Sequence, residues 1–308
     1  LVNSMNLELK HVNKSFGDNK VLTDISFKVE SGRAFGFLGR NGAGKTTTMR
    51  IITDVLSADS GQVLINGSPI NYNEVNIGYL PEERGLYSNE KVFTQLYYFA
   101  RLKGTDRRSA LQNVRYWLDR FDLAKYKNRK LSTLSKGLRQ KVQIISALLN
   151  DPDILVLDEP FSGLDPINAH ELKLAVGEFI QNQKIVIFSS HLMSYVEEFC
   201  RDICVIEEGR IILNGDLNEI KTSMAEKKML LNANNMGIWE LKELLEAENL
   251  IYPDAVVREF KLLVRLTENV TKEDILEFMM LNQIDINCFS QYEPSLQDVF
   301  VSKVGVTE

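Results

Sequence analysis

The stretch Gly39-Arg40-Asn41-Gly42-Ala43-Gly44-Lys45-Thr46-Thr47 decides how this chain is read. Gly42 and Gly44 carry no side chain, so the backbone can wrap a phosphate and turn its N–H groups inward. Lys45 brings a positive charge to the β and γ phosphates, and Thr46 an oxygen for Mg²⁺. The apolar run Ala34–Leu38 before the loop fits a buried strand. Thr46–Asp54 after it continues as a helix whose N-terminus faces the phosphates. Strand, loop and helix in this order predict a nucleoside triphosphate site rather than a chance glycine-rich turn.

Working outward, residues 5–80 mix this strand–loop–helix with an antiparallel β part. Leu7 and Leu9, then Ile25, Phe27 and Val29, alternate with polar residues. Gly17-Asp18 and Ser31-Gly32 read as turns, and Gly61–Asn66 as another short strand ending in Asn66-Gly67. Residues 89–150 read as helices at Val92–Leu102, Ser109–Phe121 and Lys136–Leu149. Ile154–Leu157 and Ile185–Phe188 are short continuous apolar runs, as parallel strands buried on both faces require. The expectation is a parallel sheet with a helical insertion. Past about Lys221 the order becomes strand, helix, two strands, helix, strand, then a closing helix over Leu296–Ser302. That βαββαβ order fits a small ferredoxin-like α+β domain. Thr271 with Asp274 and Ser295 with Asp298 read as capping boxes carrying Asp in place of Glu.

With 308 residues, 44% of them apolar, the chain can form two domains with sizeable cores. No apolar run approaches the roughly 18 residues of a membrane span. The start, Leu1-Val-Asn-Ser-Met5, is polar and lacks the apolar core of a secretory leader. The three cysteines, Cys200, Cys204 and Cys288, suit a reducing compartment. Cys200 and Cys204 could share a helix face, and without a local His pair they read as core, not metal ligands. The net charge of −6 is uneven: Arg84–Lys141 holds 15 Lys and Arg against 4 Asp and Glu, +11 there and −17 elsewhere. Such a block is either a solvated helical face or a surface for an anionic partner.

Three further elements carry chemistry. Asp158-Glu159 ends an apolar strand, where a second Mg²⁺ contact belongs. The adjacent Glu159 can orient and deprotonate a water. His191 ends the run from Ile185, at the C-terminal edge where open α/β sheets bind ligands. Ser135 is a candidate N-cap for the helix to Leu149. Lys136, Arg139 and Lys141 crowd the positive end of that helix, which an anion docking there would offset.

In this order the motifs resemble those of the ATP-binding subunits of ABC transporters, over roughly residues 5–220. Gly39–Thr47 is similar to the Walker A loop, Ile154–Glu159 to the Walker B strand, and Ser162-Gly-Leu-Asp165 to the D-loop. Leu134–Leu138 resembles the signature motif, and His191 the switch histidine. Phe16 matches the aromatic that stacks on adenine, and Tyr79-Leu80-Pro81-Glu82 sits at the Q-loop position. The resemblance implies an α/β P-loop NTPase of ABC type, with a parallel sheet core, an antiparallel β subdomain and a helical subdomain over about residues 86–150. That domain would span residues 5–220, with an accessory α+β domain over residues 226–308.

The same resemblance implies ATP and Mg²⁺ as bound groups. Nucleotide contacts fall to Phe16, Val21, Asn41, Gly42, Ala43, Gly44, Lys45, Thr46 and Thr47. The metal contacts fall to Thr46 and Asp158, with Glu82 a further candidate. Catalysis falls to Glu159, His191, Lys45 and Glu82. Two copies would sandwich two ATP molecules, with Ser135 and Gly137 of one reaching the nucleotide of the other. A separate membrane-spanning permease and the inner face of the membrane are the implied partners, and no nucleic acid is expected. The implied location is cytoplasmic, peripheral on the cell membrane.

Three motifs depart from the family pattern. Lys136-Gly137-Leu138 stands where Gly-Gly-Gln is usual, Glu82 replaces the Q-loop Gln, and Phe16 replaces a Tyr. The segment Leu80–Tyr87 and the ending Ser295–Phe300 resemble a subgroup tied to export, including sodium extrusion and antibiotic resistance. A soluble ABC protein acting on ribosomes or nucleic acid, and a regulatory subunit with a silent site, are the alternatives.

Overall fold

The computed structural model describes residues 5–82, 85–190 and 192–305. His191, Glu83 and Arg84, on which several expectations rest, lie outside the described residues. The chain divides into two compact units, one of residues 1–217 with 303–308 and one of residues 218–302.

In the larger unit, β1 (Asn6–Phe16) and β2 (Asn19–Glu30) form a hairpin through Gly17-Asp18. Their alternation buries Leu7, Leu9, Ile25, Phe27 and Val29 on one face. Strand β3 (Ala34–Leu38) and helix α1 (Lys45–Ile52) follow, then β4 (Ser60–Ile65) and β5 (Ser68–Pro69). The turn between β4 and β5 sets Asn66 at φ 51 and Gly67 at φ 80, the left-handed pair that a two-residue hairpin needs. These strands make an antiparallel sheet in the order β2-β1-β4-β5.

The second sheet takes in β6 (Ile77–Leu80), β7 (Ile154–Asp158), β8 (Ile185–Ser189), β9 (Cys200–Glu207) and β10 (Arg210–Asp216), in the order β10-β9-β3-β8-β7-β6. All pairings are parallel except that of the edge strand β10. β3, β7 and β8 are buried at every position, which is why they read as unbroken apolar runs. Phe27 of β2 packs on Phe35 and Phe37 of β3, with ring centroids 5.1 and 5.4 Å apart, so one core serves both sheets.

Cys200 and Cys204 stand on strand β9 rather than on a helix. Helix α6 (Met193–Phe199) stops before them, and the β-branched run around Cys204 pairs with β3 and β10. Both are buried, and burial pushes both thiols up, as core residues rather than reactive thiols.

The helical segment comprises α2 (Val92–Leu102), α3 (Arg107–Arg120) and α4 (Lys136–Leu148). α3 starts earlier than the pattern suggests because the Asp106 carboxylate caps it, accepting from the N–H groups of Arg108 and Ser109. Part of the basic block is internal. Lys141 is buried and donates to the Phe121 carbonyl at 2.9 Å, and Arg120 pairs with Glu178 of α5 (Pro166–Gln181) at 2.5 Å. Arg107, Arg108 and Lys127 stay exposed. Among the described residues, no helix is long and apolar enough to cross a membrane.

The smaller unit runs from within α7 (Leu217–Ala225) through β11 (Lys228–Ala233), α8 (Ile238–Ala247), β12 (Val256–Arg258), β13 (Lys261–Arg265), α9 (Lys272–Leu281), β14 (Ile286–Gln291) and α10 (Leu296–Val304). Its sheet is antiparallel in the order β12-β13-β11-β14, the arrangement of a split βαββαβ domain. Leu241 and Leu245 of α8 join Ile275 and Met279 of α9 in one core with Met229, Leu231 and Leu262 of the sheet. Both capping boxes form: Asp274 N–H donates to Thr271 Oγ1 at 3.2 Å, and Asp298 N–H to Ser295 Oγ at 3.2 Å.

Candidate nucleotide site

The phosphate loop owes its shape to close packing at its glycines. A Cβ on Gly39 would lie 2.4 Å from the Ile206 carbonyl oxygen, and one on Gly44 2.6 Å from Leu22 Cδ2. Gly44 sits at φ 112 and opens α1, so the loop turns straight into a helix N-terminus. The β9–β10 turn fastens the loop from behind. Gly209 N–H donates to the Ala43 carbonyl at 3.1 Å, while its own carbonyl accepts from Thr23 N–H at 2.8 Å. A Cβ on Gly209 would lie 2.3 Å from the Val21 carbonyl oxygen and one on Gly44 3.2 Å from it, so Val21 stands against the loop.

Lys45 is buried, and its ammonium donates to the carbonyls of Gly39 at 2.8 Å and Arg40 at 3.1 Å. Thr48 donates to the Gly44 carbonyl at 3.0 Å. Thr46 and Thr47 are half-buried, and Asn41 and Gly42 are exposed on the open side. Phe16 is 51% exposed at the end of β1, with Lys14 Nζ 5.5 Å from its ring centroid. Asp59 anchors that lysine at 2.7 Å.

β3, β8, β7 and β6 are parallel neighbours, so the phosphate loop, Ser189, Asp158-Glu159 and Glu82 all follow C-terminal strand ends along one edge. Asp158 is 2% exposed. Ser189 Oγ donates to its Oδ1 at 2.5 Å and accepts from Glu159 N–H at 3.1 Å. Asp158 Oδ2 is buried and has no hydrogen-bond partner among the described residues. A buried carboxylate oxygen left so is costly unless something binds it. That oxygen, with Thr46 on α1, offers the hard oxygen donors that Mg²⁺ takes, so these residues fit the metal. Glu159 is 8% exposed and sits at φ 50, a left-handed conformation rare for a residue with a side chain.

Tyr79 lies on β6 beside this edge. Burial raises its hydroxyl pKa, the charge of Asp158 adds to that, and Arg50 of α1 opposes it. Glu82, two residues beyond β6, is exposed.

Ser135 caps α4, accepting from Leu138 N–H at 3.3 Å. A Cβ on Gly137 would meet open space, so the backbone there is free for close approach. Among the described residues, no hydrogen bond or ion pair joins Lys136–Leu138 to Gly39–Thr47 within this chain. Lys136 instead lies over Gly163, its Cε 3.3 Å from where a Cβ would stand. Asp165 of the same loop caps α5. The Asn168 N–H holds its carboxyl below the usual range, and the charge of Lys141 assists.

Ser189 and Gly209 are the residues that reading the sequence overlooked. The polar pair Ser189-Ser190 at the end of an apolar strand was the available signal for the first. Gly209, in a turn 170 residues beyond Gly39, gave none.

This edge, with its glycine loop, lysine, helix N-terminus and open buried carboxylate, defines a P-loop nucleoside triphosphatase. Within that class the chain belongs to the ABC transporter ATP-binding subunits. The model of the ABC transporter family matches residues 22–162, and that of the "ATP-binding protein DrrA1-3-like, C-terminal domain" matches residues 215–304. The ABC transporter ATP-binding protein YhaQ of Bacillus subtilis is 42% identical over 97% of this chain and 98% of its own length. The Nod factor export ATP-binding protein I of Burkholderia lata is 34% identical over 68% of this chain and 70% of its own length. A solved ATP-binding subunit of an ABC transporter superposes with a TM-score of 0.66 at 27% identity, over 78% of this chain and 99% of that one. The chain is therefore an ATP-binding and ATP-hydrolysing subunit, coupled to transport through a partner permease.

Proposed function

We propose that this subunit powers export, that two copies enclose two ATP molecules between them, and that Glu159 activates the attacking water. The observation that carries this reading is the Asp158–Ser189–Glu159 arrangement. One serine hydroxyl steadies both acids, leaving one Asp158 oxygen open and Glu159 in a strained backbone conformation beside it.

Each residue then has a task. Phe16 offers a ring face to the adenine. Val21, from behind, supports the loop formed by Asn41, Gly42, Ala43 and Gly44, whose amides wrap the phosphates. Lys45 balances their charge, and Thr47 adds a hydroxyl at the helix start. Thr46 and Asp158 hold Mg²⁺, and Glu82 can approach the same edge as a further oxygen donor. When bound, Mg²⁺ neutralises charge on the β and γ phosphate oxygens. Glu159 accepts a proton from water as the water oxygen bonds to the γ phosphorus and the bond from that phosphorus to the ADP oxygen breaks, releasing ADP and phosphate. His191, next in sequence after Ser190, steadies the γ phosphate. Ser135 and Gly137 of the second copy close the site from the other side.

Docking of the permease is supported by a groove of about 320 Å³ between the helical segment and the end of β6. Leu80, Pro81, Leu86, Phe99 and Leu102 line it, and Leu102 is 63% exposed. Export is supported by the named exporter among the relatives and by the segment Leu80–Tyr87. These contacts would hold the subunit on the cytoplasmic face of the membrane. Glu159→Gln tests the reading: ATP binding persists while turnover falls by roughly 10² or more, the scale of a positioned base. Unchanged turnover would remove Glu159 from this role.

A further inference from the structure

Behind the two acids lies a cluster of aromatic rings that the scheme above does not use. Phe161, two residues past Glu159, is 4% exposed. Its ring stacks on Tyr195 of α6 with centroids 4.3 Å apart and planes at 12°. It also meets Phe188 of β8 edge-on at 6.0 Å and Phe199 of α6 at 6.1 Å. Lys173 of α5 caps the stack, its ammonium 4.9 Å from the Tyr195 ring centroid and 5.3 Å from that of Phe199. Glu198, on the same helix as Tyr195, pairs with that ammonium.

The cluster joins four elements that meet around the reacting edge. Phe161 belongs to the loop that carries Glu159 and continues to Asp165. Phe188 immediately precedes Ser189, which holds Asp158 and the Glu159 N–H. Tyr195 and Phe199 lie on the helix that follows Ser190 and Leu192. Lys173 lies on the helix that Asp165 caps. Glu159 sits at φ 50, and its carbonyl accepts from Ser162 N–H at 3.1 Å. A side-chain-bearing residue keeps such a conformation only where its surroundings over-determine it. Ser189 fixes the loop before Glu159, and the Phe161 ring fixes it two residues after.

We propose that the Phe161–Tyr195 stack, capped by Lys173, is a positioning device that sets the Glu159 loop against α6. Tyr195 is half-buried, and its ring stacks on Phe161 two residues past Glu159, so it acts on Glu159 through that ring. The proposal rests on Glu159 being the base.

The test is steady-state ATPase activity, affinity for a fluorescent ATP analogue and thermal melting of the full chain. Tyr195→Ala lowers kcat roughly tenfold or more, the scale of a sub-ångström to ångström misplacement of a catalytic group, while analogue affinity is kept. Tyr195→Phe, which preserves the stack, restores kcat. In the Glu159→Gln background, single-turnover rates of Tyr195→Ala show no further loss, because the two act as a unit. Should Tyr195→Ala fail to fold, Tyr195→Leu leaves a smaller gap without restoring the flat ring and is read in the same way. A kcat within about twofold of wild type for the ring-removing variant, or an equal loss carried into the Glu159→Gln background, overturns the proposal. Full activity of Glu159→Gln alone instead overturns the assignment of the base, and the two failures are thereby told apart.

Discussion

The nucleotide edge of the larger unit and the Asp298 cluster of the smaller one treat a carboxylate in opposite ways. Asp298 is closed. Arg258 donates to its Oδ1, while Tyr292 Oη and Ser295 N–H each donate to its Oδ2 at 2.9 Å. Asp158 is half open, with Ser189 on one oxygen and no partner on the other among the described residues. Its neighbour Glu159 adds a strained backbone, whereas Asp298 completes a capping box. A saturated carboxylate stabilises a fold, and an unsaturated buried one waits for a ligand. The contrast separates the part of the chain that does chemistry from the part that holds its own structure.

Ser189→Ala should break the contrast most. It leaves Asp158 Oδ1 and the Glu159 N–H without their shared hydroxyl, at a cost of about 1–3 kcal/mol in stability. Turnover should fall roughly tenfold or more as the acids lose alignment, and the Mg²⁺ concentration for half activity should rise. A titration of ATPase rate against Mg²⁺ checks both, and a rate and Mg²⁺ requirement like wild type would count against the arrangement.

Asp298→Asn should have a smaller effect, confined to stability. Burial pushes the Asp298 carboxyl up, but the hydrogen bonds from Arg258, Ser295 and Tyr292 outweigh it and hold the pKa down at about 2, against an ordinary 3.8. A carboxyl held down in the folded state stabilises above its unfolded pKa. That contribution is therefore lost as pH falls from 3.8 towards about 2. Melting of the variant should drop at neutral pH by the equivalent of about 1 kcal/mol, after discounting for solvent around Arg258. Its melting temperature should also change less than that of wild type across the acid range. ATPase activity at neutral pH should hold.

Removing the charges of Arg107, Arg108 and Lys127 should leave both carboxylate sites intact and cost only attraction to an anionic membrane surface, about 1 kcal/mol per residue. Recruitment to membranes containing the permease should weaken while ATP binding is kept. Sedimentation with such membranes measures it, and unchanged recruitment would assign these charges to a solvated face.

Much of this was legible from local pattern. The continuous runs of β3, β7 and β8 gave the parallel sheet because strands buried on both faces cannot alternate. The order of strands and helices after Lys221 gave the split βαββαβ domain, and both capping boxes were visible as Thr or Ser three residues before Asp. What escaped was set by contacts distant in sequence. Strand β9 around Cys204 read equally as one face of a helix, since i and i+4 share a face in both. Ser189 became important only when β8 was laid beside β7. The early start of α3 followed from an Asp106 cap outweighing the apolar period. Of the basic block, Lys141 and Arg120 turned inward, which charge counting alone does not distinguish from an exposed face.

In the proposed pairing, Ser135 and Gly137 of one copy complete the loop at Gly39–Thr47 of another. The most direct test is the mass of the chain by light scattering in the Glu159→Gln background, with and without ATP. ATP should double the mass of Glu159→Gln. Adding Ser135→Arg should prevent the doubling while each chain still binds ATP. Doubling that survives Ser135→Arg would rule the pairing out, as would a Glu159→Gln chain that binds ATP and stays single.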